Sequence, residues 1–537
     1  MVAVANNHPA TVAPCREACP AGIDVPRYIR RIREGRFDEA LAVIRERIPF
    51  PFVCGYACVH PCEARCSRSQ FDEPVAIRIL KRAAAELGGS KPSEGDRLPD
   101  TGKRAAVVGS GPCGLTAAYY LALKGHRVTV FEALPEAGGM LRYGIPAYRL
   151  PGNVLDQEIA AVRHAGVEIL TNRRIAAAEA LRDQGFDAVL VASGAWRPTK
   201  MNIPGEERPE VEDAISFLTA ANGGRPPRIG KRVIVVGGGN AAIDAARVAR
   251  RLGAEVVQLY RRTVAEMPAA PEEVEDALAE GVKIRYLTAP VRIEEGQVTC
   301  IRMTLGVPDA GGRPAPVPVA GSEYTLAADT VIVAVGQSAD IPASTLKTGK
   351  GGTVQADAQT LATSVPGIFA GGDAVTGPAS IIEAIAQGRT VAAAMDRYLG
   401  GTGAIDRLTD AMPESSPLPE PPPRGACRAK AGHLPVKRRL AGFETVETAY
   451  ARRTAVREAE RCLSCDLRRF DVLVNEDVCK DCGYCREVCS REIFTQSPGF
   501  NPSGYHPCIP ANTEKCIGCL RCLYICPDFA ITIREDL

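Results

Sequence analysis

The chain has 537 residues, 46% of them hydrophobic, with a formal net charge of +2. That length exceeds what one core holds and implies several domains. The balanced charge removes the electrostatic case for a nucleic-acid or membrane partner.

No apolar run is long enough to span a bilayer. The N-terminus, MVAVANNHPATVAPC, lacks a basic stretch followed by an apolar run, so no signal peptide is expected and the cytoplasm is the expected location. The chain carries 20 cysteines, clustered at short spacings. In a large cytosolic chain such clusters read as metal ligands rather than disulfides.

Residues 1–100 combine cysteines with helical periodicity, as in VPRYIRRIREGRFDEALAVI, and are expected to form a helical first domain. Its cysteines are Cys15-x₃-Cys19, then Cys54-x₃-Cys58-x₃-Cys62-x₃-Cys66. Residues 101–400 alternate β-branched runs, glycine turns and amphipathic helices, which predicts parallel α/β sheets. One stretch occurs twice. KRAAVVGSGPCGLTAAYYLALKGHRVTVFEA (103–133) resembles KRVIVVGGGNAAIDAARVARRLGAEVVQLYRR (231–262). Each copy reads strand, glycine turn, helix, strand, so two nucleotide-binding modules are expected.

In the first copy Gly109 permits the tight turn, Gly111 lets a pyrophosphate approach the backbone, and Gly114 allows close helix–strand packing. The next strand ends in Glu132, 23 residues after Gly109, where a carboxylate accepts ribose hydroxyls. Cys113 reads as a small packing residue. In the second copy the turn is Gly237-Gly238-Gly239-Asn240-Ala241-Ala242, with Gly237, Gly239, Asn240 and Ala242 as the contact positions. The same offset of 23 residues reaches Tyr260, not an acid, and Arg261 and Arg262 follow. Arginines pair with a 2′-phosphate, which tilts this site toward NADP(H). If both are solvated surface residues, NAD(H) fits as well.

PESSPLPEPPPRG (413–425) is a Pro-rich segment expected to be extended and exposed. The linker region, 401–469, ends in ERCLSCD, with Cys462 and Cys465. Residues 470–537 hold Cys479-x₂-Cys482-x₂-Cys485-x₃-Cys489 and Cys516-x₂-Cys519-x₂-Cys522-x₃-Cys526-Pro527. This is the bacterial two-cluster ferredoxin run, of α+β fold, in which the fourth cysteine of each run serves the other cluster. One [4Fe–4S] cluster then takes Cys479, Cys482, Cys485 and Cys526; the other takes Cys516, Cys519, Cys522 and Cys489. Zinc is the other possibility, but zinc motifs rarely use this triple spacing. Ser490 replaces the proline after the first run, and the long insert carries Cys508, which has no assignment.

VLVASGAWRP (189–198), TVIVAVGQ (330–337) and GIFAGGDAV (367–375) complete a resemblance to flavoprotein disulfide reductase-like folds. GGMLRYGIPAYRLP (138–151) narrows it: the chain is similar to the small (β) subunit of NADPH-dependent glutamate synthase and to the N-terminal half of dihydropyrimidine dehydrogenase. The resemblance implies an FAD domain, residues 101–225 and 346–400, interrupted by an NAD(P) domain, residues 226–345. It places Gly139, Leu141, Gly372 and Asp373 on the flavin. No Cys-x₄-Cys pair follows the FAD turn, so disulfide chemistry is not expected. Carried over by position, Cys19, Cys58, Cys62 and Cys66 hold one [4Fe–4S] cluster, leaving Cys54 outside. Cys15 belongs to a second cluster whose other two cysteines, in that family, precede it. Here no such pair precedes Cys15, and Cys462 and Cys465 are expected to supply it from the other end of the chain. A structural or vestigial Cys-x-x-Cys is the competing reading. The fourth ligand is open. The family uses a non-cysteine side chain near Leu80–Lys81, neither of which suits, so Cys54 or an unmatched side chain is left.

Four clusters are therefore expected, three at minimum, with FAD and NAD(P). Hydride exchange with NAD(P)(H) moves two electrons and each cluster moves one, and FAD is the cofactor that handles both. No protein nucleophile or acid–base dyad is nominated. The implied function is an electron-transfer flavoprotein subunit of a redox complex, working with a partner such as a 2-oxoacid:ferredoxin-type oxidoreductase. A glutamate synthase small subunit and a stand-alone NAD(P)H:ferredoxin oxidoreductase are the competing readings.

Overall fold

The computed structural model describes residues 12–89, 97–308, 312–342, 345–406, 427–467 and 469–536. The Pro-rich segment expected at 413–425 lies outside them.

The first unit is helical. Val25–Arg33, Phe37–Arg45, Pro51–Ala57 and Ile77–Leu87 pack around Tyr28, Ile32, Ile44, Phe50 and Leu80. Asp24 caps the first of these, its carboxylate accepting from the Arg27 amide at 3.3 Å. This core runs unbroken into the next unit through Leu115, Leu121 and Met395. Glu158, on helix Gly152–His164, reaches across the join and accepts the amides of Phe52 (2.7 Å) and Val53 (2.9 Å). A carboxylate from one unit thus satisfies two free N–H groups at the start of a helix in another.

Two five-stranded parallel sheets follow. The first runs in the order Ile368–Ala370, Ala188–Val191, Arg104–Val108, Arg127–Phe131, Val167–Leu170. The second runs Val211–Asp213, Thr330–Val333, Arg232–Val236, Glu255–Leu259, Lys283–Arg285. The central strands are apolar along their length because helices cover both faces. An antiparallel ribbon, Arg197–Pro198 with Gln337–Ser338, marks the two crossings between the units. Val211–Asp213 pairs in the second sheet, and Phe217 and Leu218 sit in its core, so that sheet begins ahead of the boundary expected at 226. A three-residue edge strand is too short to register as a period in the sequence.

The region expected to be a linker is folded from Cys427 to Leu467. Helix Arg452–Ala459 lies on the N-terminal helices, with Ala455 and Ala459 in their core. Glu458 accepts the amides of Ala76 (2.9 Å) and Ala429 (2.8 Å), tying this return segment to the first unit. The last unit pairs Arg469–Val474 with Ile531–Asp536 and Phe494–Gln496 with Cys508–Pro510, around a separate core of Val472, Ile493, Phe494 and Ile531. Among the described residues no helix is long and apolar enough to cross a membrane.

Candidate cofactor sites

The first glycine turn opens onto a cleft. Gly109 has φ +106°, and a Cβ there would meet the Ala192 carbonyl oxygen at 2.4 Å. A Cβ on Gly114 would meet the Gly109 oxygen at 2.1 Å, so both glycines are required by the protein itself. Gly111 differs: a Cβ there would meet nothing within 4 Å. Its open side is the cradle that a pyrophosphate can enter. Glu132 is buried at the end of its strand and accepts the amides of Ser110 (3.1 Å) and Leu134 (2.8 Å), as well as the Ser110 hydroxyl. Gly139, Leu141, Gly372 and Asp373 line the same cleft. Burial pushes the Asp373 carboxyl up to about 6. Ser193, also on the wall, keeps a buried hydroxyl with no hydrogen-bond partner. An open glycine face, a carboxylate at the strand end and an orphaned hydroxyl fit an extended dinucleotide such as FAD. Cys113 is a packing residue: a Cβ on Gly371 would meet its sulfur at 2.9 Å.

At the second turn Gly237 has φ +141°, and a Cβ there would meet the Ala334 oxygen at 2.2 Å, while one on Gly239 would meet nothing within 4 Å. The Tyr260 ring lies over Gly238, where a Cβ would come within 2.3 Å of it. Asn240 accepts the Ala270 amide at 3.0 Å, and Ala242 is buried in the helix that follows. The two arginines separate. Arg262 is buried, its Nε donating to the Pro314 carbonyl at 2.7 Å. Arg261 is exposed. Of the pair, Arg261 is the one that faces solvent.

The cysteines of the helical unit divide otherwise than by the positional carry-over. Cys66, grouped there with Cys19, Cys58 and Cys62, instead faces Cys15, Cys462 and Cys465. Those four line one cavity, walled by Ile29, Val75 and Ile77. Burial first, then the nearby Cys462, Cys66 and Cys465, hold the Cys15 thiol protonated well above its usual range. Two of these cysteines come from each end of the chain. Cys66 follows the helix Pro61–Ala64 with an extended backbone (φ −65°, ψ 121°) and stands with this group, at the position the sequence left open.

In the last unit Cys479, Cys482, Cys485 and Cys526 line a second cavity. Cys508 joins that wall, its sulfur 3.2 Å from that of Cys485, a neighbour the spacing did not reveal. Burial, then Cys519, Cys516 and Cys489, push the Cys522 thiol up to about 12, which places the other expected set together. Among the described residues no three His, Cys, Asp or Glu side chains converge on a single-ion site. Four thiolates are the donor set of a [4Fe–4S] cluster. The last unit touches the helical unit beside the shared cavity. Arg521 donates to the Gln70 carbonyl at 2.5 Å, and Arg491 acts electrostatically on Cys465.

Comparison with known proteins agrees with this layout. A family model described as pyridine nucleotide-disulphide oxidoreductase matches residues 103–388. One described as dihydropyrimidine dehydrogenase domain II, 4Fe–4S cluster, matches residues 9–91, and a 4Fe–4S binding domain matches residues 509–532. The NADP(+)-dependent formate dehydrogenase subunit beta of Moorella thermoacetica is 42% identical over 87% of this chain and 72% of its own. The NADPH-Fe(3+) oxidoreductase subunit beta of Geobacter sulfurreducens is 40% identical over 84% of this chain and 75% of its own. The glutamate synthase [NADPH] small chain of Azospirillum brasilense is 33% identical over 72% of this chain and 86% of its own. The first model covers more than half of the residues, and the chain belongs to the pyridine nucleotide-disulphide oxidoreductase family, as an FAD- and NAD(P)-dependent iron–sulfur oxidoreductase with 4Fe–4S domains on both sides of its nucleotide-binding sheets.

Proposed function

We propose that the chain is the NADP(H)-handling subunit of a cytoplasmic redox complex, passing electrons between NADP(H) and a partner subunit that turns over the substrate. The observation that carries this reading is the meeting of Cys15 and Cys66 with Cys462 and Cys465 in one cavity, against which the ferredoxin-like unit docks. That arrangement lines up cluster sites from the flavoprotein core to the far end of the chain. FAD, when bound, exchanges electron pairs with a nicotinamide and single electrons with iron–sulfur clusters. The chain's part is to hold the cofactors. Gly111 and Glu132 would seat the FAD pyrophosphate and ribose, Gly239 the nicotinamide dinucleotide, and Arg261 its 2′-phosphate.

The ferredoxin-like unit supports the partner reading. It leaves Phe500, Tyr524 and Phe529 exposed, at 71%, 71% and 87%. Exposed aromatics are the residues a partner surface would use. The relatives named as beta subunits make a second, substrate-side subunit the matching partner, with formate and Fe(III) as the classes of reaction their names carry. The relative named as a glutamate synthase small chain covers less of this chain, which makes that role the weaker match.

The test is anaerobic titration of the purified chain with NADPH, beside iron and sulfide analysis of wild type and a Cys462→Ala, Cys465→Ala variant. NADPH should bleach the flavin in both proteins. Iron should fall from about 16 to about 12 per FAD in the variant, four iron atoms per cubane. Electron delivery to a ferredoxin-type acceptor should drop at least ~10-fold, the effect of about 1.4 kcal/mol or more on a rate. A flavin that NADPH leaves oxidised overturns the reading. A monomer-sized native species that reduces ferredoxin unaided favours a stand-alone reductase.

A further inference from the structure

The helical unit and the return segment contain nine cysteines; Cys427 is exposed, and the other eight are Cys15, Cys19, Cys54, Cys58, Cys62, Cys66, Cys462 and Cys465. Four are placed in the shared cavity. That leaves Cys19, Cys54, Cys58 and Cys62, a number that matches one cubane. All four are buried, Cys54 completely. The resemblance read from the sequence implies a non-cysteine ligand near Leu80–Lys81, and neither residue here can serve. Leu80 is fully buried in the apolar core and has no donor atom. Lys81 as an ammonium carries three protons and no lone pair.

We propose that Cys54 is the fourth ligand of the cluster held by Cys19, Cys58 and Cys62, and that the Lys81 ammonium stands beside that cluster as its charge partner. The assignment rests on the reading of the helical unit as an iron–sulfur domain.

Two observations carry it. Helix Pro51–Ala57, which bears Cys54, packs against helix Ile77–Leu87 at closest range: a Cβ on Gly55 would fall 2.7 Å from the Arg82 Cα. That contact brings Cys54 and Lys81, each one position before the touching residues, to the same interface. The second observation is the company Lys81 keeps. It is 3% exposed, and the charges that act on it most are those of Cys58, Cys54, Cys62 and Cys19. A buried ammonium needs a compensating charge, and a cluster ligated by four thiolates is anionic.

The positive charge at Lys81 favours the reduced, more negative state of the cluster and raises its potential.

The experiment uses the full chain, purified anaerobically, with Cys54→Ala, Cys54→Ser and Lys81→Met variants. Iron and sulfide are counted per FAD, and EPR spectra are recorded after dithionite reduction. Cys54→Ala should lose up to four of about 16 iron atoms, or convert one cubane into a three-iron cluster. Cys54→Ser offers an oxygen ligand and should keep the iron count while shifting one EPR component. That outcome separates lost ligation from lost folding. Lys81→Met should keep the iron and lower the potential of one cluster only. Wild-type iron content and an unchanged spectrum in both Cys54 variants would overturn the proposal. Flavin bleaching by NADPH should persist throughout, so failure here is distinct from failure of the functional reading.

Discussion

Arg30 and Asp466 stand 436 positions apart in the chain, and their side chains form a two-pronged ion pair, Nη1 to Oδ1 at 2.8 Å and Nη2 to Oδ2 at 2.9 Å. Asp466 directly follows Cys465. Arg30 lies on the helix that follows Cys15 and Cys19 and is nearly buried. The pair therefore fastens the return segment beside the cavity shared by the two ends of the chain. Fork-to-carboxylate geometry is the strong form of such a bond. Removing the carboxylate from a buried arginine costs on the order of 3 kcal/mol. Asp466→Ala should therefore release iron faster to a chelator and melt at a lower temperature, with FAD content unchanged. Chelator-driven iron loss followed by absorbance checks it; rates equal to wild type would mean the pair does not secure the cavity.

Gly109 and Gly111 make opposite predictions within one turn. Gly109 is needed by the fold, since its φ of +106° and the Ala192 carbonyl exclude a side chain. Gly111 has an ordinary extended backbone (φ −72°) and open space where a Cβ would stand. Gly111→Ala should leave the melting temperature of flavin-free protein within about 1 °C of wild type, as a surface substitution does. It should weaken FAD binding at least ~10-fold, because the methyl group occupies the pyrophosphate approach. Gly109→Ala should lower both. Fluorescence titration of apoprotein with FAD separates the two effects, and equal FAD affinity in Gly111→Ala would remove the pyrophosphate from this turn.

The two glycine turns and the ferredoxin run were legible because their chemistry depends on spacing alone. A turn of fixed length after an apolar strand, or cysteines at intervals of three, is a local pattern. The return of Cys462 and Cys465 to Cys15 was legible as a missing pair. What spacing could not give was direction. Cys62 and Cys66 are four positions apart, which on a continuous helix puts both on one face. The helix stops at Ala64, and Cys66 faces the other cavity instead. The same limit applies to Arg261 and Arg262. They are adjacent in sequence, but only the burial of Arg262 under the Pro314 carbonyl tells them apart. Val211–Asp213 was missed because three residues at a sheet edge carry no period.

Arg261 gives a test that depends on coenzyme rather than on fold. Its side chain is exposed at the end of the strand where an acid would otherwise bind ribose. A charge-assisted hydrogen bond to a phosphate is worth about 1.5–3 kcal/mol, or roughly 10- to 100-fold in affinity. Arg261→Ala should raise KM for NADPH by about that factor and leave KM for NADH nearly unchanged. Arg262→Ala should instead reduce stability, since Arg262 is packed inside. Steady-state kinetics with both coenzymes, using a dye acceptor, decides between them. A parallel loss with NADH would assign Arg261 a structural role.

Glu158 couples the flavin unit to the helical unit and makes that coupling depend on pH. Burial pushes its carboxyl up to about 8, against the opposing pull of the Val53 and Phe52 amides and of Arg45. The folded state thus holds a proton that the unfolded chain releases near pH 4.3. Between about pH 4.3 and 8 the folded form binds more protons, so stability falls as pH rises through that window and levels off above it. The slope is at most about 1.4 kcal/mol per pH unit for one group. Glu158→Gln keeps one carbonyl acceptor for the helix amides and removes the titration. Melting curves from pH 5 to 9 should show wild type losing stability more steeply than Glu158→Gln, with the two converging in slope above pH 8. Parallel curves would mean that Glu158 stays ionised in the folded protein, its charge carried by the two amides and Arg45.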